Sequence, residues 1–270
     1  MRNLLFAERE RLGGKLSEVA LRIESYGVSH KGCVRLVNED RFLIEPQSGL
    51  WLVADGMGGH AAGEAASSSI VEHLATIGVA SSAPDLRARF EDRLSRAHDE
   101  IRKLSQARGA TIGSTIAALL AIEGRFACLW SGDSRVYLIR DGAISQLSRD
   151  HTEVQELLDR GVLSAAEART WPRRNVITRA VGVTEEIVMD FRQGETLPGD
   201  IFVLGTDGLT THVADAEIEA AVISAAPEDA CGHLLDTALS RGGTDNVTIV
   251  VVRFTGAGQA PSTHPGGNGS

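Results

Sequence analysis

The chain has 270 residues, of which 43% are hydrophobic, so it is long enough to bury a sizeable core within one large domain. Its net charge of −9, its aromatic content of 4% and the lack of a lysine or arginine block disfavour nucleic acid as the main ligand. Three widely separated cysteines, Cys33, Cys128 and Cys231, fit neither a zinc ribbon nor a disulfide framework and point to a reducing cytoplasm.

Composition divides the chain into three predicted parts. Hydrophobic residues at helical spacing indicate a helical N-terminal extension over residues 1–20. Within it, the apolar run at 4–7 is too short for a signal peptide or a membrane span, so no membrane partner is expected. The glycine- and proline-rich residues 256–270 are predicted to be a disordered tail. One domain is therefore expected over residues 21–255.

Hydrophobic periodicity predicts the elements of this domain. A buried strand at 50–54 ends at the Asp55-Gly56 pair, and two amphipathic helices follow, over residues 63–77 and from Pro84 to Gly109. The later elements are predicted as antiparallel strands at 115–122, 126–130, 136–140 and 143–147, small helices at 151–160 and 165–169, a strand at 201–204, helices near 215–224 and 228–240, and a strand at 247–254. Because strands and helices come in groups rather than in alternation, the pattern favours an α+β layered domain over a doubly wound parallel sheet.

An aspartate follows an apolar strand, in a polar or glycine-containing turn, at four places along the chain. These aspartates are Asp55, Asp133, Asp207 and Asp245, and Asp40 in the Glu39-Asp40 pair adds a fifth acidic position. A single Asp-Gly pair is commonly a simple turn, and we interpret Asp141-Gly142 as only that. Several carboxylates at the ends of buried strands would repel one another if they converged, unless divalent cations neutralised them.

The acidic set predicts a site for hard divalent cations. Oxygen-only ligands favour Mg(II), Mn(II) or Ca(II) over zinc, and no histidine pair stands at ligand spacing. At Gly56, the missing side chain would let the backbone carbonyl approach a metal ion closely. Arg35, five residues before Asp40, has a guanidinium that can bind two phosphate oxygens, although a surface arginine is the alternative interpretation.

Together, these residues resemble the metal-dependent protein phosphatase family, also called the protein phosphatase 2C-like family, in its bacterial serine/threonine form. The resemblance covers roughly residues 22–254, and its motifs occur in family order. They lie at 35–40, 55–60, 113–115, 131–135, 150–152, 175–182, 206–208 and 245–248. The family fold implies a four-layer α-β-β-α sandwich, in which two antiparallel sheets are flanked by helix pairs.

The resemblance also implies which residues bind metal. Asp55 would bridge two central Mn(II) or Mg(II) ions, with the Gly56 carbonyl on the second ion. Asp207 and Asp245 would complete the first. Asp133, together with Asp207, would hold a third and weaker ion.

Further roles follow from the same resemblance. Asp40 would act mainly through metal-bound waters, and Arg35 would bind the substrate phosphate. Arg35, Asp55 and Asp207 are thus the predicted catalytic residues. Residues 157–175 would correspond to a variable flap that tunes substrate choice and the third metal.

One position departs from the family pattern. Many eukaryotic members have a histidine where this chain has Met57, and that histidine is proposed to protonate the leaving oxygen. Methionine cannot donate a proton. The hypotheses for its replacement are a water on the third metal near Asp133 and the side chain of His60.

The function that the resemblance implies is hydrolysis of phosphoserine and phosphothreonine in proteins, reversing bacterial Ser/Thr kinase signalling. We expect direct attack by metal-activated water without a phosphoenzyme, and no cysteine nucleophile, since no cysteine and arginine share one phosphate-binding loop. The chain is expected to act as a cytoplasmic monomer on phosphorylated proteins, without nucleic acid or membrane as partner. Two alternatives stay open: hydrolysis of small phosphorylated metabolites, and phosphoprotein binding without catalysis, which predicts a broken acidic set.

Overall fold

The structure, a computed structural model, describes residues 21–59 and 62–256. The N-terminal extension predicted at 1–20, the candidate proton donor His60 and most of the predicted tail, residues 257–270, lie outside the described residues. Gly256, predicted to open the tail, is instead the last residue of a strand. Within the described residues, no helix combines the length and the apolar character needed to cross a membrane.

The chain forms eleven strands and seven helices over the described residues. The first half contains β1 Leu21–His30, β2 Asp40–Glu45, β3 Leu50–Met57, α1 Ala62–Leu74, α2 Ala83–Arg108, β4 Gly113–Ser114, β5 Ile116–Ile122 and β6 Arg125–Ser131. The second half contains β7 Arg135–Arg140, β8 Ala143–Gln146, α3 Glu153–Asp159, α4 Ala165–Arg169, β9 Asp190–Glu195, β10 Ile201–Gly205, α5 Asp207–Thr210, α6 Asp215–Ser224, α7 Pro227–Ser240 and β11 Val247–Gly256.

Two antiparallel sheets form the centre of the molecule. One has the strand order β1-β11-β10-β7-β8, and the other has the order β2-β3-β5-β6-β9, with β4 paired to β3. Helices α1 and α2 cover the outer face of the six-stranded sheet, and α5, α6 and α7 cover the outer face of the five-stranded sheet. The predicted four-layer α-β-β-α sandwich is therefore confirmed.

Alternation along the strands explains how both faces of each sheet are buried. In β3, Leu50 and Leu52 face the helices, whereas Trp51 and Val53 face the other sheet. Between the sheets, the ring of Phe202 meets two other rings edge-on, at 5.0 Å from Phe126 and 5.7 Å from Phe254. Phe126 belongs to the opposite sheet, so this aromatic contact holds the two layers together.

Most of the predicted elements are confirmed. Helices α4 and α6 have the predicted bounds. Helix α2 ends at Arg108 and is capped by Gly109, whose φ of 61° is the left-handed conformation that favours glycine at a helix end. The β7–β8 hairpin turns at Asp141 and Gly142, with φ of 52° and 76°, as a two-residue hairpin turn requires.

The structure also corrects several predictions. Strand β3 continues through Asp55 to Met57, because Asp55 pairs with Asp40 and Gly56 with Ser114. A strand end at residue 54 was therefore wrong, and Asp55 lies in a strand rather than in a turn. The four strands that received no predicted bounds, β1, β2, β4 and β9, are short, partly exposed or polar, so their sequences lack a strong hydrophobic pattern.

Candidate metal centre

All five predicted aspartates lie at one end of the two sheets, although different elements carry them. Asp40 opens β2 and pairs in register with Asp55, near the end of the neighbouring strand β3. Asp133 lies in the link from β6 to β7, which crosses from one sheet to the other. Asp207 begins α5 directly after β10, and Asp245 stands two residues before β11. The fold thus brings together carboxylates that are up to 205 positions apart in sequence.

Hydroxyl groups connect these acidic positions. Thr206 Oγ1, on the five-stranded sheet, donates a hydrogen bond of 2.9 Å to Asp40 Oδ2, on the six-stranded sheet. The Asp55 backbone N–H donates to Thr115 Oγ1 at 3.1 Å, and Thr115 Oγ1 lies 2.7 Å from Ser134 Oγ. Because Ser134 follows Asp133, this chain of contacts fixes the position of the β6–β7 link relative to Asp55.

Burial makes the ionised state of Asp40 and Asp55 costly. The Asp40 residue is 1% exposed, and this burial raises its pKa to about 7, although hydrogen bonds from Thr248 and Thr206 act in the opposite direction. For Asp55, burial and then repulsion from Asp40 raise the pKa well above its ordinary value; Asp207, Asp133 and Asp245 repel the same group. Each of the other four aspartates therefore acts on Asp55 electrostatically.

Asp133 and Asp207 show the same effect. Burial, followed by repulsion from Asp207, raises the pKa of Asp133 to about 7. Burial, followed by repulsion from Asp245, raises the pKa of Asp207 to about 6. A cation bound among these groups would lower their pKa values again, since its charge would offset both the lost hydration and the mutual repulsion.

The buried oxygens of the cluster fit a hard cation. Four carboxylate oxygens, Glu39 Oε1, Asp40 Oδ1, Asp133 Oδ1 and Asp207 Oδ1, are buried without a hydrogen-bond partner among the described residues. A buried acceptor left without a partner costs about 1–3 kcal/mol, and a divalent ion with oxygen ligands would remove that cost. Glu39 was not among the predicted ligands, although its place beside Asp40 in the first motif was the available indication.

The cluster is not a complete cage. In the described parts of the chain, no three His, Cys, Asp or Glu side chains form a group that could hold a metal ion as they stand. Mg(II) characteristically keeps several waters and takes only one or two carboxylates directly, so an incomplete set of protein ligands is compatible with such an ion. The features that fit this cluster to a divalent cation are the buried oxygens without a partner and the raised pKa values of the aspartates.

Arg35 lies at the edge of this acidic cluster. Its Nη2 donates a hydrogen bond of 2.7 Å to Asp245 Oδ2, and its side chain is 54% exposed. The hydrogen bond to Asp245 raises the pKa of the guanidinium. Arg35 is therefore both a surface residue and a neighbour of the carboxylates, where its exposed face is available to an anion.

Asn246 holds the loop that carries Arg35 and Asp40. Its Nδ2 donates to the carbonyls of Lys31 and Val37, both at 2.9 Å, and its Oδ1 accepts from the Glu39 backbone N–H at 2.8 Å. The residue is 5% exposed. Asn246 lies in one of the sequence motifs, but the sequence indicates no role for it, because its three partners lie more than 200 positions away.

Two glycines of the motifs are required by close backbone contacts. A Cβ atom on Gly208 would lie 1.9 Å from the Asn246 carbonyl oxygen, and one on Gly56 would lie 2.0 Å from the Gly63 carbonyl oxygen. At Gly56, the steric reason is thus the packing of β3 against the start of α1, in addition to the predicted approach of its carbonyl to a metal ion.

His151 and Arg135 support the link that contains Asp133. The Gly132 backbone N–H donates to His151 Nδ1 at 3.2 Å, so Nε2 carries the proton and donates to Asp190 Oδ2 at 3.1 Å. Burial lowers the pKa of His151, which favours this neutral form. Arg135 binds Asp150 through Nε and Nη2, at 2.9 and 2.7 Å.

A protein-family model matches the part of the chain that contains most of these motifs. The family model described as Protein phosphatase 2C matches residues 27–230, which is most of the chain and contains four of the five aspartates. The chain belongs to the protein phosphatase 2C family.

Individual members of the protein phosphatase 2C family are similar over most of this chain. The serine/threonine protein phosphatase PstP of Mycobacterium tuberculosis is 34% identical over 238 residues, covering 87% of this chain. The chain spans 46% of that protein, about half its length. A structure described as PppA, a key regulatory component of T6SS in Pseudomonas aeruginosa, is 42% identical, with a TM-score of 0.80 over 86% of this chain and 97% of that one.

A third comparison bears on the metal. The catalytic domain of PstP in complex with two manganese ions is 33% identical to this chain, with a TM-score of 0.79 over 87% of this chain and all of that one. A catalytic domain that is similar to this chain over its whole length therefore binds manganese. The choice between Mn(II) and Mg(II), the third ion and the individual ligands remain predictions for this chain.

A cavity of about 350 Å³ opens beside the acidic cluster of this family member. Asp133 and Asp207 line it, together with residues of α3, α4 and the segment after α4. Helix α4 and the segment after it fall within the predicted flap at 157–175, whereas most of α3 precedes it. The cavity therefore lies between the acidic cluster and the predicted flap.

Proposed function

We propose that this chain hydrolyses phosphoserine and phosphothreonine in proteins and depends on Mn(II) or Mg(II). The observation that supports the proposal most strongly is the convergence of five aspartates next to the exposed guanidinium of Arg35. Three of them, Asp40, Asp133 and Asp207, have a buried oxygen without a hydrogen-bond partner among the described residues. Two core ions and a third, weaker ion are the proposed complement. The names of the relatives support the reaction class, since PstP is a serine/threonine protein phosphatase.

Each residue of the centre has a proposed task. Asp55, the Gly56 carbonyl, Asp207 and Asp245 would hold the two core ions. Bound there, divalent ions supply charge neutralisation and a water nucleophile whose pKa is lowered toward neutrality. Arg35 would orient the phosphate through paired N–H donors, since its Nη2 already reaches the edge of the cluster.

Two further aspartates complete the assignment. Asp133 would hold the third ion together with Asp207, and Asp40 would act through ordered water, since its Oδ2 already accepts from Thr206. No side-chain nucleophile is proposed: Cys128 and Cys231 are buried, and burial raises the pKa of both thiols. Direct attack by water leaves no covalent phosphoenzyme.

The source of the leaving-group proton is a separate part of the proposal. Met57 cannot supply it, so the candidates are water near Asp133 and His60, which lies outside the described residues. If Asp133→Ala abolishes most turnover of a phosphopeptide while His60→Ala leaves it unchanged, the water pathway is supported. The opposite result would assign the proton to His60.

The proposed setting is the cytoplasm of a bacterium, where the chain would act as a monomer on proteins phosphorylated by a Ser/Thr kinase. Similarity to the bacterial phosphatases supports this setting. Cross-linking and sedimentation of the purified protein would test the monomer, and neither nucleic acid nor membrane is proposed as a partner.

The proposed function has a direct test. Phosphate release from phosphothreonine peptides, sugar phosphates and nucleotides is measured with Mn(II), with Mg(II) and after EDTA treatment. We expect turnover of the peptides only with metal, and an unchanged rate in Asp141→Asn, which alters an Asp-Gly turn outside the centre. Turnover that persists in metal-free buffer, or a preference for sugar phosphates, would contradict the proposal.

A further inference from the structure

The segment between α3 and residue 180 contains two arginines that have no side-chain partner among the described residues. Its five arginines are Arg160, Arg169, Arg173, Arg174 and Arg179. Three of them form ion pairs: Arg160 with Glu156, Arg173 with Glu153, and Arg179 with Asp190. Within residues 21–59 and 62–256, the side chains of Arg169 and Arg174 form neither an ion pair nor a hydrogen bond.

These two arginines share a cavity with the acidic cluster. Arg169, the last residue of α4, and Arg174, five positions later, line the 350 Å³ cavity that Asp133 and Asp207 also line. Arg173, whose side chain pairs with Glu153 at 2.8 Å, does not line it. The partnerless guanidinium groups are therefore those that border the cavity, whereas their sequence neighbour is neutralised.

Electrostatics gives this arrangement a consequence for binding. The chain carries a net charge of −9, so a negatively charged peptide is repelled by the molecule as a whole. Two guanidinium groups in a concave site offset that repulsion locally and can bind carboxylate or phosphate oxygens in pairs. Solvated surface arginines are the ordinary alternative, but that alternative does not explain why the partnerless pair borders the cavity of the centre.

We infer that Arg169 and Arg174 form a subsite for a second anionic group of the substrate, close in sequence to the phosphorylated residue that enters the metal centre. The chemistry they recognise is a carboxylate or a second phosphate on the same peptide. This inference rests on the proposed function and specifies its substrate class as phosphoproteins with an acidic or multiply phosphorylated segment.

Peptides that differ at one position test the subsite. A phosphothreonine peptide is made with alanine, glutamate or a second phosphothreonine at two or three residues on either side of the reacting residue. In Mn(II) buffer, kcat/KM is expected to be about fivefold higher for an anionic neighbour than for alanine, as two partly exposed ion pairs would give. The glutamate and phosphothreonine peptides distinguish the two anion sources.

Variants assign the preference to the two arginines. The Arg169→Ala/Arg174→Ala double variant should lose the preference for anionic peptides while its rate with p-nitrophenyl phosphate stays within about twofold, because that small ester does not reach the subsite. Arg173→Ala is the matched control and should keep the preference. High ionic strength should weaken the wild-type preference, since exposed ion pairs are screened.

The outcomes separate this inference from the proposed function. Equal kcat/KM for neutral and anionic peptides in the wild-type protein, or an equal loss of preference in Arg173→Ala, overturns the subsite while phosphatase activity stands. If no phosphopeptide is hydrolysed, the proposed function fails. Fluorescence anisotropy of the same peptides then decides whether the double variant binds anionic peptides more weakly than the control.

Discussion

At the scale of single residues, the aspartates of the centre repel one another when no metal ion is bound. Burial is the largest cause of the raised pKa of Asp55, and repulsion from four other carboxylates raises it further. Such an arrangement costs folding free energy unless protons or cations occupy it. The same residues would therefore weaken the metal-free fold and strengthen the metal-bound one.

Asp55→Asn should have opposite effects on stability in the two states. In EDTA, removing one repelled carboxylate should raise the free energy of unfolding by about 1 kcal/mol, a few degrees in Tm. With Mn(II), the variant should lack most of the metal-induced rise in Tm and lose more than about 100-fold in phosphatase rate, because a proposed ligand is absent. Thermal melts with and without Mn(II) measure the change in Tm in each state. A variant that melts at a lower temperature than the wild-type protein in EDTA would count against mutual repulsion.

The pH dependence of metal binding follows from the same groups. The folded pKa values of Asp40 and Asp133, about 7, and of Asp207, about 6, lie above the ordinary value of 3.8, so the folded protein binds more protons than the unfolded chain. The contribution of these groups to metal-free stability is present at low pH and is lost as pH rises from about 4 to about 7. Because protons compete with metal, the Tm increase caused by Mn(II) should be larger at pH 7.5 than at pH 5.5. An equal increase at both values would contradict the raised pKa values.

At the scale of elements, strand ends and tight backbone contacts place the carboxylates. Helix α5 begins at Asp207, and its second residue, Gly208, allows the backbone before β11 to approach closely. Asp245 lies in that approaching segment. The separation of Asp207 and Asp245 therefore depends on a glycine that carries no chemistry itself.

Gly208→Ala should be severely destabilising because its Cβ would lie 1.9 Å from the Asn246 carbonyl oxygen. A backbone shift is the only relief, and we expect a cost of more than about 3 kcal/mol, as for other strained core positions. Gly232→Ala in α7 is the control, since nothing lies within 4 Å of its new Cβ. That variant should gain up to about 1 kcal/mol from helix propensity. Urea unfolding of both variants in EDTA measures their free energies of unfolding. Similar values would contradict the steric explanation.

At the scale of the whole molecule, the centre spans both sheets. Asp40 and Asp55 belong to the six-stranded sheet, Asp207 and Asp245 follow or precede strands of the five-stranded sheet, and the Asp133 link joins the two. The position of one pair of carboxylates relative to the other is thus set by the packing between sheets. That packing depends on the buried aromatic cluster around Phe202.

Phe202→Ala should lower the free energy of unfolding by about 3–5 kcal/mol, because it leaves a cavity between the two sheets. Phe191→Ala is the matched control: this side chain is 51% exposed on the edge strand β9, where it contacts Arg87, and its loss should cost about 1 kcal/mol or less. Chemical denaturation in EDTA keeps metal binding out of the comparison. Equal losses for the two variants would show that the inter-sheet cluster contributes little.

Much of the fold was predictable because its information is local. Helix α2 has an apolar face, a proline in its first turn and a glycine directly after its last residue, and each of these signals lies within or beside the helix itself. Strand β9 escaped prediction because an exposed edge strand has no buried face to impose a pattern. The end of β3 was misplaced because pairing with Asp40 and Ser114, rather than the local Asp-Gly pair, determines how far the strand runs.

The choice of oxygen ligands, and hence a hard divalent cation, was also available from residue types, because carboxylate chemistry belongs to the side chain wherever it lies. The three contacts of Asn246, the support of the Asp133 link by His151 and the cavity shared by Arg169 and Arg174 were not available in this way. Each depends on segments that are distant in the chain and become neighbours only when the two sheets pack. Hydrogen bonds and raised pKa values are properties of those distances, which a one-dimensional pattern does not contain.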